Sequence, residues 1–432
     1  MRVVVATHAS VHAPIQRRGS AKGGAQEEKW KRKTLHAASA VPTTPTLKHA
    51  REAAREALDQ PNTPDAATKE SYRFTDLKAL WDAEVCRSEP NAEEWWVDDL
   101  PPGGYVGPLE GAPKQALEAF DAQAETRGTF FATLNAACAS DALVVYLPKD
   151  ARASQPVRVR RTAVPCVEPG ATGMATTAPR TLVVVEEGAN VELWEEYDEE
   201  QGRGCYTNAV TEVVLAPRAQ VVHRVVQLKD EGSFHTQQTL VRQAESSKYE
   251  LTDICVGSRL ARHDVNVSQE GPDTVTKMKH FVLCGRDQLH DVHTTVRLVH
   301  PRGACQQLHK CIVAHNTGRG VFDGNVRVER YAQQTDAGQL TRNLLLAKNA
   351  TVNVRPNLQI VADDVKCTHG ATVSDLEQDE LFYFQSRGID PATAREMLVY
   401  SFGSEVVQEL GNKELISKVE SAVRKALVET MQ

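Results

Sequence analysis

From about residue 142 to 372, short segments rich in Val, Leu and Thr alternate polar and apolar residues, and no helical period is sustained. Val191–Leu193, Val210–Leu215, Val221–Val226, Val265–Val267 and Val326–Val328 are examples. Alternation with period two sends successive side chains to opposite faces of a strand, so each segment has one face to bury. A turn pattern recurs within the stretch. Gly188-Ala189-Asn190-Val191-Glu192-Leu193 is echoed by Arg218-Ala219-Gln220-Val221-Val222-His223 and by Ser246-Ser247-Lys248-Tyr249-Glu250-Leu251. These three lie about 30 residues apart, and Asn349-Ala350-Thr351-Val352-Asn353-Val354 follows after roughly four times that interval. One such unit cannot bury its own apolar face, whereas stacked coils can. The chain is therefore expected to be mainly β, with a β-solenoid (β-helix) core over 142–372. A β-sandwich is the alternative, but it is normally shorter than this run.

Both flanks read as helix. Residues 46–141 form a mainly helical N-terminal region. Leu47–Asp59 has helical spacing and is ended by Pro61 and Pro64, and Phe74, Leu77, Leu80 and Trp81 form a second stripe. A Pro/Gly-rich patch at Leu100–Pro113 precedes a helix expected over Gln115–Leu134. Residues 373–432 return to helix. Gly388 is placed as a C-cap, and Asp390-Pro391 supplies an N-cap with proline at the first helical position. Leu415–Met431 is amphipathic, with Ile416, Val419, Val423 and Leu427 on one stripe.

Composition removes several classes of function. A net charge of −7 argues against a dedicated nucleic-acid binder. The longest apolar stretches, Leu143–Leu147 and Leu182–Val185, are far too short to span a bilayer. Nine cysteines, odd in number, widely spaced and without a CxxC pair, suit free thiols in a reducing compartment rather than a disulfide framework. Residues 1–45 are basic, rich in Ala, Ser and Thr, and acidic only at Glu27 and Glu28, as in an organelle transit peptide. They are expected to be disordered and removed after import.

Familiar enzyme signatures are missing. There is no P-loop, no H-E-x-x-H and no G-x-S-x-G, and Gly318-Arg319-Gly320 lacks the third glycine of a dinucleotide fingerprint. The richest cluster is ADDVKCTHGAT at 362–372. In an extended strand Asp363, Val365, Cys367 and His369 share a face. A thiolate beside an imidazole can ligate iron, zinc or a cluster edge, but two ligands are too few to hold a cluster. A buried structural cysteine with a satisfied histidine is the competing reading of the same residues. His280, His290, His293, His300, His309 and His315, with Cys305 and Cys311, form a second concentration. His290 and His293 are three apart and face opposite sides of a strand, so solvated or hydrogen-bonded histidines fit better than a zinc site there.

Five segments together resemble the SufD/SufB family of SUF iron–sulfur cluster assembly subunits: SYRFTDL at 71–77, VFDGNVRV at 321–328, AQQTDAGQLTRNLLL at 332–346, ADDVKCTHGAT at 362–372 and LFYFQSRGI at 381–389. The SufD branch fits better. Asn343 stands nearest to a cysteine that SufB carries for cluster building, and Gly370 follows His369 where SufB has Glu. The resemblance implies a right-handed parallel β-helix between helical regions, and a non-catalytic scaffold. It implies pairing with a SufB-type subunit through the β-helix, and binding of a SufC-type ATPase through the C-terminal helices, with Ile416, Val419 and Val423 as docking candidates. Cys367 and His369 would face the SufB interface and share a metal or cluster site with it. The cargo would be a transient iron or iron–sulfur cluster, with no cofactor held tightly by the isolated chain; no residue assigns a flavin. With the basic leader, it points to a plastid rather than a mitochondrion or the cytoplasm. The competing functions are a β-helix carbohydrate-active enzyme and a self-contained zinc enzyme built on the histidine-rich segment.

Overall fold

Parallel strand pairing dominates the computed structural model, which describes residues 20–39, 43–59, 72–87, 92–123, 129–163, 173–199, 204–375 and 378–431. Its strands are β1 (Val85–Arg87), β2 (Ala92–Trp96), β3 (Tyr105–Pro108), β4 (Leu143–Leu147), β5 (Val157–Ala163), β6 (Met174–Thr177), β7 (Arg180–Val185), β8 (Asn190–Glu199), β9 (Cys205–Leu215) and β10 (Gln220–Lys229). They continue as β11 (Phe234–Gln243), β12 (Lys248–Gly257), β13 (Leu260–Gln269), β14 (Val275–Cys284), β15 (Leu289–Leu298), β16 (Ala304–Val313), β17 (Arg319–Val328), β18 (Thr335–Leu345), β19 (Thr351–Ile360) and β20 (Val365–Ser374). From β8 onward each odd strand pairs with the next odd strand and each even strand with the next even one. Every coil thus adds one strand to each of two sheets, which makes a parallel β-solenoid of about seven turns.

The period-two pattern supplies the core between the sheets. Val183, Val213, Val241, Val267, Val296 and Val326 stand in register on successive odd strands, and all six are buried. β-Branched side chains suit such a pleated ladder, and each fully buried valine contributes about 1.5–3 kcal/mol of apolar transfer. The recurring turn closes the coils. Gly188, Arg218, Ser246, Asp273, Arg302 and Gln334 all have positive φ, at intervals that match the strand register. In each, the backbone N–H donates to a carbonyl of the next coil, at Pro217, Glu245, Pro272, Pro301, Gln333 and Asp364. The fourth sequence echo, at Asn349, differs. It precedes the odd strand β19 and so belongs to the opposite corner, whereas the first three precede even strands.

The helices α1 (Ser20–Ser39), α2 (Pro45–Asp59), α3 (Lys78–Trp81), α4 (Lys114–Gln123) and α5 (Phe130–Cys138) lie N-terminal to the main solenoid. Trp30, Leu58, Leu80, Trp81 and Phe131 pack with Tyr206, Phe234, Leu260 and Leu289 of the odd sheet. Order therefore begins earlier than expected: residues 20–39, inside the stretch read as a disordered leader, form α1, and Trp30 anchors it at 4.8 Å from the Trp81 ring. Residues 1–19 and 40–42 lie outside the described residues. The N-terminal region is also less purely helical than its spacing suggests, since β1, β2 and β3 interrupt it. The stripe from Phe74 is helical only over α3, and the helix expected over 115–134 is two helices, α4 and α5.

At the other flank are α6 (Gln378–Ser386), α7 (Pro391–Val407) and α8 (Lys413–Met431). Gly388 has φ +81° as a C-cap, and Asp390 accepts from the Thr393 N–H at 3.1 Å as an N-cap. α7 and α8 cover the outer face of the even sheet, where Val399, Val406, Val419 and Val423 meet Trp194, Ile254, Phe281 and Ile312. Gly403 permits this approach, because a Cβ there would lie 2.8 Å from the Phe281 ring. No helix among the described residues is long and apolar enough to cross a membrane. Cys86 is disulfide-bonded, while Cys138, Cys205, Cys255, Cys284, Cys305, Cys311 and Cys367 are free. The expectation of free thiols thus fails at Cys86.

Candidate functional site

The solenoid ends bare. β19 and β20 are the last strands of their sheets, and each is paired along one side only among the described residues. An unpaired strand edge is a template for another chain. Apolar side chains at this end are exposed, including Ile360, Val361 and Val373. Cys367 and His369 sit on β20, in register with Ala337 and Gln339 of β18. Asp363 precedes the strand and so does not join their face. Cys367 is half-buried against the solenoid core. His369 is exposed and makes no hydrogen bond with the described residues, so the reading of a histidine that satisfies a buried partner has no partner to point to. Partial burial pushes the Cys367 thiol up, partly offset by the Ala337 backbone. Raised above its ordinary value, the thiol keeps its proton at neutral pH, and to serve as a ligand it would have to release that proton to solvent as the metal binds.

Behind His369 runs a polar ladder. Gln339 and Gln307 occupy the same column on β18 and β16, both buried. The Gln307 amide oxygen accepts from the Thr294 hydroxyl at 2.7 Å. Gln339 keeps one buried oxygen without a partner. Its amide fills the space beside Gly324, where a Cβ would lie 1.9 Å from the Gln339 nitrogen. That contact links the VFDGNVRV and AQQTDAGQLTRNLLL segments: the glycine of one admits the glutamine of the other. Asn343, in the next columns of β18, donates from Nδ2 to the Thr372 carbonyl of β20 at 2.9 Å. At the position where a cysteine had been a point of comparison, the amide thus ties down the last strand.

The histidine-rich segment does not converge. His280 and His309 are neighbours in register inside the solenoid, and His280 Nδ1 bonds Asp253 at 3.0 Å. His290 lies in the interior and bonds the Ser258 carbonyl, while His293 lines the opposite, outer face beside Tyr72. His300 is exposed and His315 half-buried, both in bends between strands. Among the described residues no group of three or more His, Cys, Asp or Glu is placed to hold a metal ion. His280 and His290 are thus hydrogen-bonded within strands. Burial holds His290 down at about 4 and His309 at about 3.

One cluster was not anticipated. Arg262 on β13 pairs with Asp264 at 2.8 Å and Asp291 at 2.5 Å, and stacks 4.1 Å over the Tyr72 ring. The Thr75 hydroxyl also donates to Asp291. Against its burial, the neighbouring His293 and Arg262 hold Asp291 down at about 2. The segment from Tyr72 to Thr75 is therefore a strap on the odd sheet rather than a helix. The signal was an arginine within a strand, Arg262 between Ala261 and His263, which alternation alone cannot pair with a segment nearly 190 residues away.

The C-terminal candidates are placed otherwise than expected. Val419 and Val423 are buried in the chain's own core and Ile416 is half-buried beside them. A stripe spent on the even sheet cannot also present itself to a partner. Among the described residues, the exposed large apolar side chains of this region are Phe382, Tyr383, Met397, Tyr400 and Val428.

The family described as SUF system FeS cluster assembly, SufBD core domain, matches residues 169–402. The chain is 45% identical over 330 residues to the chloroplastic protein ABCI7 of Arabidopsis thaliana, covering 76% of this chain and 69% of that protein. It is 38% identical over 288 residues to an iron–sulfur cluster assembly SufBD family protein of Synechocystis sp., covering 65% and 62% of the two chains. It is 31% identical over 235 residues to the iron–sulfur cluster assembly protein SufD of Escherichia coli, covering 54% and 55%.

Proposed function

Because this chain belongs to the SufBD family and is of the plastid SufD type, we propose that it is a non-catalytic scaffold subunit of a SUF iron–sulfur cluster assembly complex. The observation that carries this reading is the bare end of the solenoid, where an exposed, unpartnered imidazole stands two residues from a half-buried thiol on an edge strand. Two ligands on an open edge suit a site that a second chain completes. The edges of β19 and β20 are proposed to pair with a SufB-type subunit, which supplies the remaining ligands to a transient iron or cluster. The C-terminal helices are proposed to dock a SufC-type ATPase, whose nucleotide chemistry this chain lacks the P-loop to perform. Phe382 and Tyr383 are the exposed apolar pair offered for that contact. The chloroplastic name of one relative and the basic leader favour a plastid.

Co-purification of the full chain with SufB-type and SufC-type subunits tests the reading. Deleting everything from residue 390 would uncover Trp194, Ile254 and Phe281, so point variants are cleaner. Val361→Lys with Val373→Lys should lose the SufB-type subunit and keep the ATPase. Phe382→Ser with Tyr383→Ser should do the reverse. Retention of both partners by both variants would count against the proposed surfaces.

A further inference from the structure

A cavity of about 730 Å³ opens where α7 and the end of α8 lean over three successive corners of the solenoid. The corners carry Arg286, His315 with Asn316, and Leu346 with Ala347. They are tied to one another: the Asp287 N–H donates to the Thr317 hydroxyl at 2.8 Å, and the Asn349 N–H donates to the Asn316 side chain at 2.9 Å. The wall is therefore preformed rather than a gap between loose loops. Leu346, Val399 and Leu427 make an apolar lining, and Val428 beside them is 53% exposed. Around it stand three guanidinium groups, Arg286, Arg395 and Arg424, against one carboxylate, Glu396. Glu396 is already paired with Arg424 at 3.0 Å, and Arg395 donates to the Leu346 carbonyl at 2.5 Å. Arg286 has no hydrogen bond or ion pair with the described residues.

We infer that this cavity binds a small organic anion with an apolar body. A guanidinium cannot discharge itself by losing a proton, so an unpaired one recruits an anionic oxygen, with two parallel N–H bonds available. The chain as a whole carries −7 and repels anions, so a local excess of cationic groups over an apolar lining is selective. The volume lies in the range of small-molecule sites. A carboxylate, phosphate or sulfonate would lie toward Arg286 and Arg424, with the apolar body over Leu346, Val399 and Leu427. None of these residues belongs to the bare end or to the Phe382–Tyr383 surface.

The test uses 8-anilinonaphthalene-1-sulfonate, an aromatic anion, titrated by fluorescence against the full chain. Saturable one-site binding is expected, weakening as salt is raised. Arg286→Glu with Arg424→Gln should bind about tenfold more weakly, the loss of roughly one charge-assisted contact. Val428→Glu, a change at an exposed position, should weaken binding in the same direction if the double variant melts early. Phe382→Ser with Tyr383→Ser should leave the affinity unchanged. Parent affinity in the first two variants, or loss of binding in the last, would overturn the inference. So would displacement of the probe on adding the SufC-type subunit, which would assign the cavity to a protein.

Discussion

The two ends of the solenoid treat polar groups in opposite ways. At the N-terminal end β2 and β3 turn antiparallel and cover the edges of β5 and β4. The interior there buries an ion cluster whose members are paired among the described residues, while outside it, under the N-terminal helices, Arg180 Nε and Glu212 Oε2 keep no partner. Arg161 bonds Glu195 at 2.7 Å, Thr181 at 2.7 Å and Glu93 at 2.9 Å. Glu195 also accepts from Thr211 at 2.8 Å and meets His223 at 2.9 Å, and His223 meets the Tyr249 hydroxyl at 3.0 Å. Against its burial, His223 and Arg161 hold the Glu195 carboxyl far below its usual range. At the C-terminal end the edges are uncovered, Gln339 and Asn343 each keep an unpartnered buried oxygen, and His369 is exposed. Saturated polar groups fix a fold. Unsaturated ones beside an open strand edge are arranged for another molecule.

The largest effect should come from breaking the saturated end. Arg161→Met leaves Glu195 buried without its cation and should cost about 3–5 kcal/mol, read as a drop in the urea midpoint. His369→Ala at the other end should stay within about 0.5 kcal/mol. Equal losses at the two ends would erase the contrast.

Acid should act on the middle of the solenoid. Burial keeps His290 at about 4, His309 at about 3, and His235 well below its ordinary value. Below about pH 6.5 the unfolded chain protonates these residues and the folded chain does not. Their contribution is therefore intact above about 6.5 and is lost as pH falls toward about 4 and 3, at about 1.4 kcal/mol per pH unit for each histidine. His293 acts in the opposite sense. Burial would lower it, but Asp291 raises it, so its contribution holds below about 6.5 and fades as pH rises through its folded value. Three against one predicts a urea midpoint that falls from pH 7.5 to 5. A flat or rising profile would contradict this.

A smaller effect probes the polar ladder. Gly324→Ala should cost about 1–3 kcal/mol by crowding the Gln339 amide. Adding Gln339→Ala should recover part of that loss in a double-mutant cycle, and strictly additive losses would refute the contact. The smallest stability change, within about 0.5 kcal/mol, is expected for Val373→Lys on the exposed edge.

How much of this was legible in the sequence follows from the range of each interaction. Val191, Val221 and Tyr249 reveal the even-strand coils because alternation and the turn at Gly188, Arg218 and Ser246 are local. Strand geometry likewise put Cys367 and His369 on one face. The Asn349 echo resembles the other three yet belongs to the opposite corner, because the two corners of a coil share turn chemistry. The Tyr72–Thr75 strap was missed because its partners, Arg262 and Asp291, adjoin it only once the sheet has formed. An apolar stripe such as Ile416, Val419 and Val423 demands burial, but the stripe itself cannot say whether its own sheet or a partner supplies it.

The bare end is the centre of this account, and one variant tests it most directly. His369→Ala removes an exposed imidazole and leaves the β18–β20 pairing untouched. Cluster yield and melting temperature should be measured together on the complex purified with its SufB-type and SufC-type partners. The account predicts a clear fall in cluster yield with the melting temperature and the partners retained. A full cluster yield, or a yield that falls only in step with lost stability, would contradict it.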